Sequence, residues 1–380
     1  MPPARAWPAR AHRSRRNWSP RYTPAAAENV VPAGVAPEIM DGDLQNDVHR
    51  RIAEIARTRL NDLDLARSHY EKILEQRPDD LPSLDALEEL LGEKRDHRGL
   101  LDVLRRKGEL ASSPDARMWI LLRQAEISEL QLDDVPAAIE SYEAVLGEGE
   151  KREAYEGLER LYARGERFED LASLYEREME KGFGVAADVR FRLGKVRKEN
   201  LRDVHGALEA WADALAKDGK HAETIEALDG LLGDAEHEAR AAEILEPAYL
   251  AKLDWPKVTQ VLDARLRHEQ DPDERKKILV RLGDYHETQR EDLEAAFETY
   301  ARLFREDPLD GAVWDTLGRL ARVLEKHARL ADVFDQLLDE RGVDDPALAQ
   351  LARHTGQLHL EKTKDLARAA KDFERALHYS

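Results

Sequence analysis

The sequence predicts an all-α fold made of stacked helical hairpins. Three observations lead to this prediction. The composition is dominated by strong helix formers, a small residue recurs four positions before a large aromatic one, and Gly, Pro and Asp separate the segments that carry this pattern. Residues four apart lie one above the other on a helix face, so the spacing is helical rather than strand-like.

Composition excludes several classes of protein. Ala, Leu, Glu and Arg are abundant among the 380 residues while Val, Ile and Thr are sparse, which disfavours a large β-sheet. The formal net charge of −19 disfavours direct binding of nucleic acid, because such a chain repels phosphate backbones. Disulfides and Cys-based zinc sites are excluded because there are no cysteines, which is compatible with a cytoplasmic location. No stretch reaches the roughly 18–20 apolar residues of a membrane-spanning helix.

Residues 1–43 are expected to form a disordered tail rich in Pro, Ala and Arg. The first 40 residues hold six Arg and two Glu, so this segment is basic while the remainder is strongly acidic. Three interpretations stay open: a solvated tail, a targeting peptide interrupted by prolines, or a segment upstream of a true start at Met40. Whether the chain is a fragment of a longer repeat protein also stays open, because no polar capping helix is evident before Ser380.

From residue 44 to residue 380 the helical pattern repeats. Five copies share a small residue, an aromatic residue four positions later, and another small residue thirteen positions before the first: Ala53/Ala66/Tyr70, Ala125/Ala138/Tyr142, Gly194/Ala207/Trp211, Gly283/Ala296/Tyr300 and Gly356/Ala369/Phe373. Successive copies are 72, 69, 89 and 73 residues apart. The one long interval predicts an irregular inserted helix near residues 221–234.

A second family of segments lies between these copies and keeps the four-residue step: Leu100/Leu104, Leu171/Tyr175, Val258/Leu262 and Leu330/Phe334. The repeat of about 72 residues is therefore two hairpins of about 34–36 residues each. One hairpin of this size cannot bury its apolar face alone, whereas stacked hairpins bury a continuous core. We therefore expect the repeated aromatic residues to pack in that core rather than to stack on nucleic-acid bases.

These residues resemble the tetratricopeptide repeat family. The copy with Trp314, Leu317, Gly318, Leu330 and Phe334 follows the family's Trp-x-x-Leu-Gly pattern at its spacing, and segment 221–271 departs from the phase. The resemblance is to bacterial-type proteins that carry this repeat in tandem. It implies a right-handed α-α superhelix of about nine hairpins. It also implies a non-catalytic scaffold whose first helices line a concave groove that binds a protein or peptide.

The groove positions predicted from this resemblance lie three residues before and one after each small residue of the first helices. They are Arg50, Glu54, Glu126, Lys195, Asp284, Asp315, Arg319, Arg353 and Gln357. The Lys–Asn pairs with which some family members grip C-terminal carboxylates are missing from these positions. Because several acids share them, we expect a basic or mixed-charge partner, while partner identity, pathway and oligomeric state stay undetermined.

No pattern in the sequence predicts catalysis, a metal site or a cofactor. The 13 histidines lack metalloprotease spacing, so we expect most of them to face solvent or to lie in turns. Two alternative functions stay open: an RNA-processing scaffold of the half-a-tetratricopeptide type that acts through residues 1–39 or through partners, and a regulatory arm of a larger enzyme.

Overall fold

A computed structural model describes residues 42–341 and 348–378. Within these ranges the chain contains nineteen α-helices and no strand. Residues 1–41 of the predicted tail, residues 342–347 and the last two residues lie outside the described ranges, whereas Gly42 and Asp43, predicted to belong to the tail, open the first helix. The chain divides into two compact units, residues 1–154 and 155–380, and the division falls in the first turn of α7. None of the described helices combines the length and the apolarity that a bilayer span requires.

The first unit holds three complete hairpins. Its helices are α1 Gly42–Ile55, which continues as a π-helical turn Ala56–Leu60, α2 Leu63–Gln76, α3 Leu81–Lys94, α4 His97–Leu110, α5 Pro114–Leu130, α6 Val135–Glu148 and the start of α7 Arg152–Arg164.

The second unit continues the same alternation from α7. Its helices are α8 Phe168–Glu180, α9 Ala186–Glu199, α10 Val204–Lys217, α11 Ala222–Asp229, α12 Glu238–Lys252, α13 Trp255–His268, α14 Pro272–Thr288, α15 Leu293–Glu306, α16 Gly311–Val323, α17 His327–Arg341, α18 Ala349–Leu358 with a π-helical turn His359–Thr363, and α19 Leu366–His378.

Eighteen of these helices pair into nine hairpins, in agreement with the predicted number. The remaining helix, α11, has eight residues and lies where the repeat interval lengthens. Hairpins 1 to 5 are α1/α2 to α9/α10 in order, and hairpins 6 to 9 are α12/α13, α14/α15, α16/α17 and α18/α19. Each hairpin turn contains one non-glycine residue with positive φ: Asn61, Arg95, Asp133, Glu166, Arg202, Leu253, Glu291, Glu325 and Lys364.

Aspartate starts most of the second helices. In hairpin 5, for example, the Asp203 carboxylate accepts the backbone N–H of Gly206 at 2.8 Å. The equivalent Asp caps hairpins 1, 2, 3, 6, 7 and 9 in the same way. A side-chain acceptor at this position satisfies an N–H group that has no partner within the helix. In these seven hairpins the Asp after the left-handed residue therefore fixes where the second helix begins.

The predicted core register is confirmed. The five small residues of the second helices are at most 3% exposed, and six of the seven repeated aromatic residues are buried, with Phe373 partly buried. A Cβ atom added to Gly194 would lie 2.3 Å from Nε1 of Trp211, and one added to Gly283 would lie 2.8 Å from Cζ of Tyr300. In these two hairpins the small residue of the first helix therefore makes room for the aromatic ring of the second helix.

Candidate functional site

The nine predicted groove residues all lie on first helices. Arg50 and Glu54 are on α1, Glu126 on α5, Lys195 on α9, Asp284 on α14, Asp315 and Arg319 on α16, and Arg353 and Gln357 on α18. All are exposed except Arg50, which is partly buried. The first three belong to the first unit and the other six to the second.

In the first unit, Arg50 is already engaged in holding two hairpins together. Its guanidinium donates to both carboxylate oxygens of Asp80, at 3.1 and 3.2 Å. Asp80 also caps α3 by accepting the Ser83 N–H at 3.0 Å. Burial alone would raise the pKa of Asp80, but Ser83 and Arg50 together lower it. Arg50 therefore stabilises the start of the next hairpin.

In the second unit, polar contacts join the exposed side of α14 to α15 and to α16. Asp284 accepts the Tyr300 hydroxyl at 2.7 Å, and burial together with this bond raises the pKa of Tyr300. One turn later, Glu287 accepts two hydrogen bonds from Arg319, at 2.6 and 2.9 Å. A two-pronged contact of this kind fixes the relative orientation of both groups.

The exposed sides of α16 and α18 are joined by rings. Trp314 donates its indole N–H to the carbonyl oxygen of Pro308 at 2.8 Å, and its ring stacks on His354 with centroids 6.1 Å apart. Asp315 and Arg353 are the chain neighbours of these two rings and are both exposed. The two charged groups thus occupy equivalent places on successive first helices.

Exposed aliphatic residues lie among these charges. Val280 is 37% exposed, Val323 60% and Leu360 43%. Val280 precedes Asp284 by four residues, Val323 follows Arg319 by four, and Leu360 follows Gln357 by three, so each shares a helix side with a predicted groove residue. We call this surface the α14–α18 face. Its residues are Val280, Asp284, Glu287, Asp315, Arg319, Val323, Arg353, Gln357 and Leu360.

Four predicted residues lie away from this face: Arg50 and Glu54 are on α1 in the first unit, and Glu126 and Lys195 lie elsewhere. Lys195 is on α9, which packs against α8 and α10, and Glu126 is on α5 in the first unit. Gln357 lies on the face but donates to Glu361 at 2.8 Å. The structure thus brings together five of the nine predicted residues, on three successive first helices.

Sequence reasoning missed a series of ion pairs between successive first helices. In each pair the Glu lies on one first helix, twelve residues before the four-residue step of the second helix that follows it. The Arg lies on the first helix of the next hairpin, two residues before its small residue. Arg123 contacts Glu88 at 3.4 Å, Arg192 contacts Glu159 at 2.6 Å, and Arg281 contacts Glu246. The recurring spacing of 33–35 residues was the available signal. In hairpins 8 and 9 the corresponding positions hold Gly318 and His354, so the series ends at the α14–α18 face.

The expectation that most histidines face solvent or lie in turns is wrong for five of them: His49, His69, His221, His286 and His359 are at most 8% exposed. Each ring lies within hydrogen-bond distance of a polar partner; the Nδ1 atoms of His49 and His69, for example, are 2.7 Å apart. Imidazole can be buried when its nitrogens are paired, so residue type alone does not indicate exposure.

One group in the described part of the chain has the donors to hold a metal ion. It consists of Asp335, His359 and Asp372, whose ligand atoms all lie within 4.8 Å of one another.

The α14–α18 face, in contrast, presents paired charges, stacked rings and isolated aliphatic side chains. That combination suits macromolecular contact, because protein interfaces combine apolar anchors with a polar surround.

Comparison with known proteins identifies structural neighbours of low similarity. No family model and no curated protein matches the chain. A tetratricopeptide repeat protein from Parabacteroides merdae is 16% identical, with 69% of this chain and 93% of that one covered and a TM-score of 0.25. The TPR2AB-domain:pHSP90 complex of yeast Sti1 is 13% identical over 69% and 99% of the two chains, with a TM-score of 0.25. Yeast Tom70 is 13% identical over 90% and 93%, also with a TM-score of 0.25.

The repeat type is therefore established from the chain's own geometry. Nine hairpins recur at the predicted spacing, and small residues of the first helices lie against aromatic rings of the second. The chain is an all-α helical-hairpin repeat protein whose residue pattern resembles that of tetratricopeptide repeats.

Proposed function

We propose that this chain is a non-catalytic scaffold that binds a protein or peptide of basic or mixed charge on the α14–α18 face. The observation that carries this proposal is the arrangement of three successive first helices, each presenting an exposed aliphatic side chain beside exposed polar ones. A partner that follows the three helices would find an apolar anchor on each of them.

The state of the charged groups on this face supports a partner of basic or mixed charge. Arg319 is neutralised by Glu287, so it offers little free positive charge. Asp284 and Asp315 are exposed acids, and Arg353 is an exposed base. Complementary charges on a partner would steer its approach and set its register along the three helices.

The rigidity of this face also supports a binding role. The Tyr300–Asp284 bond, the Arg319–Glu287 pair and the stacked rings of Trp314 and His354 hold neighbouring side chains in place. A surface that is already ordered loses less conformational entropy when a partner binds.

The test uses Val323→Glu, which removes an apolar anchor, and Asp315→Lys, which reverses an exposed charge. Partners are captured on purified protein from native cells, quantified by mass spectrometry, and the main one is titrated directly. Loss of a well-placed anchor costs on the order of 2 kcal/mol, so each variant should weaken binding by about tenfold or more.

The matched control is Glu340→Lys, which reverses an exposed charge near the end of α17, a second helix. It should capture the same partners as the unmodified chain. If Val323→Glu and Asp315→Lys also bind the main partner with unchanged affinity, the α14–α18 face is not the binding surface.

A cytoplasmic location and a lack of direct nucleic-acid binding remain parts of this proposal. The lack of cysteines is compatible with the first, and the formal net charge of −19 favours the second. Fractionation of native cells checks the first expectation, and salt-dependent retention on RNA checks the second.

A further inference from the structure

Three side chains from the last two hairpins meet in the interior of the second unit. Asp335 lies on α17, His359 opens the π-helical turn after α18, and Asp372 lies on α19. Nε2 of His359 is 3.0 Å from Oδ2 of Asp335 and 3.8 Å from Oδ2 of Asp372. His359 is 1% exposed and Asp372 is fully buried, whereas 18% of the Asp335 side chain is exposed.

Hydrogen bonds assign the proton on His359. The Thr363 hydroxyl lies 3.2 Å from the carbonyl oxygen of His359, which can only accept, so the hydroxyl donates its single hydrogen there. The same hydroxyl lies 3.0 Å from Nδ1 and therefore accepts from Nδ1–H. In the neutral ring the lone pair is then on Nε2, which faces both carboxylates.

Asp372 directs an unsatisfied oxygen into the same space. Its Oδ1 accepts from Arg375 at 3.1 Å, but its buried Oδ2 has no hydrogen-bond partner among the described residues. A buried carboxylate oxygen beside a second carboxylate and an imidazole nitrogen needs a shared proton or a metal ion between them.

The spacing is close to that of the ligands of a four-coordinate metal ion. Metal–ligand bonds of about 2.0–2.2 Å in a tetrahedron place the ligand atoms about 3.3–3.6 Å apart. The two distances from Nε2 lie on either side of this range. The surrounding contacts also match a metal site, because Thr363 orients the imidazole and Arg375 orients the Asp372 carboxylate.

The same three positions in earlier hairpins show that repeat packing does not need this group. In register, they hold Arg105, Ser128 and Ser141, then Glu176, Arg197 and Ala210, then Asp263, His286 and Thr299. In the second set, Arg197 balances Glu176 at 2.6 Å. Only the last set, Asp335, His359 and Asp372, supplies three metal ligands.

We propose that Asp335, His359 and Asp372 bind a divalent transition-metal ion of the Zn²⁺ class, with a fourth coordination position left to solvent. A mixed imidazole and carboxylate set favours such an ion over Mg²⁺ or Ca²⁺, which prefer oxygen ligands alone. The open surface cavity lined by Arg329, Asp332, Asp335, Gln336, Asp339, Arg368, Lys371 and Asp372 provides the path for entry. The bound ion would join α17, the π-helical turn and α19.

The test is calorimetric titration of the chelator-treated full chain with ZnCl₂, followed by thermal melting with and without the ion. The unmodified chain should bind one Zn²⁺ in this site and melt at a higher temperature with Zn²⁺. Asp372→Asn and His359→Gln should each weaken this binding by more than about 100-fold, since each removes a direct ligand. Glu374→Gln is the matched control, because Glu374 lies on α19, is exposed and is not one of the three ligands.

A second readout separates the metal from a shared proton. Co²⁺ in place of Zn²⁺ should give the strong visible absorption of a tetrahedral site, and Asp335→Asn should remove it. Circular dichroism checks that each variant is folded. The Co²⁺ spectrum of the unmodified chain tests the site without any substitution. The proposal is wrong if the unmodified chain binds neither ion, or if Asp372→Asn binds Zn²⁺ as tightly as the unmodified chain. A nitrogen NMR spectrum with both His359 nitrogens protonated in the presence of Zn²⁺ would likewise assign the group to a buried ion pair.

Discussion

Two glycines at equivalent places in the repeat are predicted to respond in opposite ways to substitution by alanine. Gly194 in α9 lies against Trp211, where an added Cβ would lie 2.3 Å from Nε1 and 2.6 Å from Cδ1. Trp211 is 1% exposed, and its Nε1 donates to the carbonyl oxygen of Phe191 at 3.3 Å, so the ring cannot move without losing that bond. Gly318 in α16 has no atom within 4 Å of an added Cβ.

The expected free energies follow from these contacts. Alanine in place of glycine stabilises a helix interior by about 1 kcal/mol. At Gly194, overpacking costs about 1–3 kcal/mol and the displaced indole bond about 1 kcal/mol more. We therefore expect Gly194→Ala to destabilise the second unit by about 1–3 kcal/mol. Gly318→Ala should stabilise it by up to about 1 kcal/mol.

The assay is thermal melting of both variants by circular dichroism, together with amide hydrogen exchange of α9, α10 and α16. Exchange is needed because repeat proteins can open hairpin by hairpin, which a global melting curve averages. A change of 1 kcal/mol corresponds to a shift of about 2–4 °C in the melting temperature. If Gly194→Ala raised the melting temperature as much as Gly318→Ala, the close approach of α9 to Trp211 would not constrain the residue at position 194.

Three further predictions test the core, the ion pairs and the buried histidines. Phe334→Ala should destabilise the fold by about 3–5 kcal/mol in denaturant unfolding, because Phe334 is fully buried. Glu246→Gln should cost about 1–2 kcal/mol in the same assay, since its two Arg partners are partly exposed and can regain water. Burial lowers the pKa of His49 and of His69, so the unfolded state binds more protons below about pH 6.5 and stability falls with acidification. Exchange protection of α1 and α2 should therefore drop from about pH 7.5 to 5.5, less steeply in His69→Asn but unchanged by His205→Gln, which alters an exposed ring.

The fold could be predicted from the sequence because its determinants are local and periodic. Gly283 and Tyr300 are 17 residues apart in one hairpin, and their contact depends only on helix geometry and one turn. Repetition of the same spacing then establishes the register even where single copies are degenerate. The end of the series at Gly318 and His354 is also visible in the sequence, but only after the ion pairs are known.

The candidate sites depend on contacts that no single spacing specifies. Glu246 accepts from Arg265 in its own hairpin and from Arg281 in the next, and charged residues are too common in this chain for such pairs to stand out. Asp335, His359 and Asp372 come from three elements, and their meeting depends on how two hairpins pack. Residue type alone also gave no sign that five histidines are buried.

The left-handed residue in each hairpin turn makes the stability of this chain adjustable in small steps. A side chain in this backbone conformation costs roughly 1–2 kcal/mol, which glycine avoids at an entropic cost of about 0.5–1 kcal/mol. Leu253 is a bulky residue and 65% exposed, so glycine there should give a net gain, whereas Asn61 already tolerates the conformation. Because the nine turns are far apart in the chain and alike in geometry, such gains should add nearly independently and could be placed in whichever hairpin an engineer wished to reinforce.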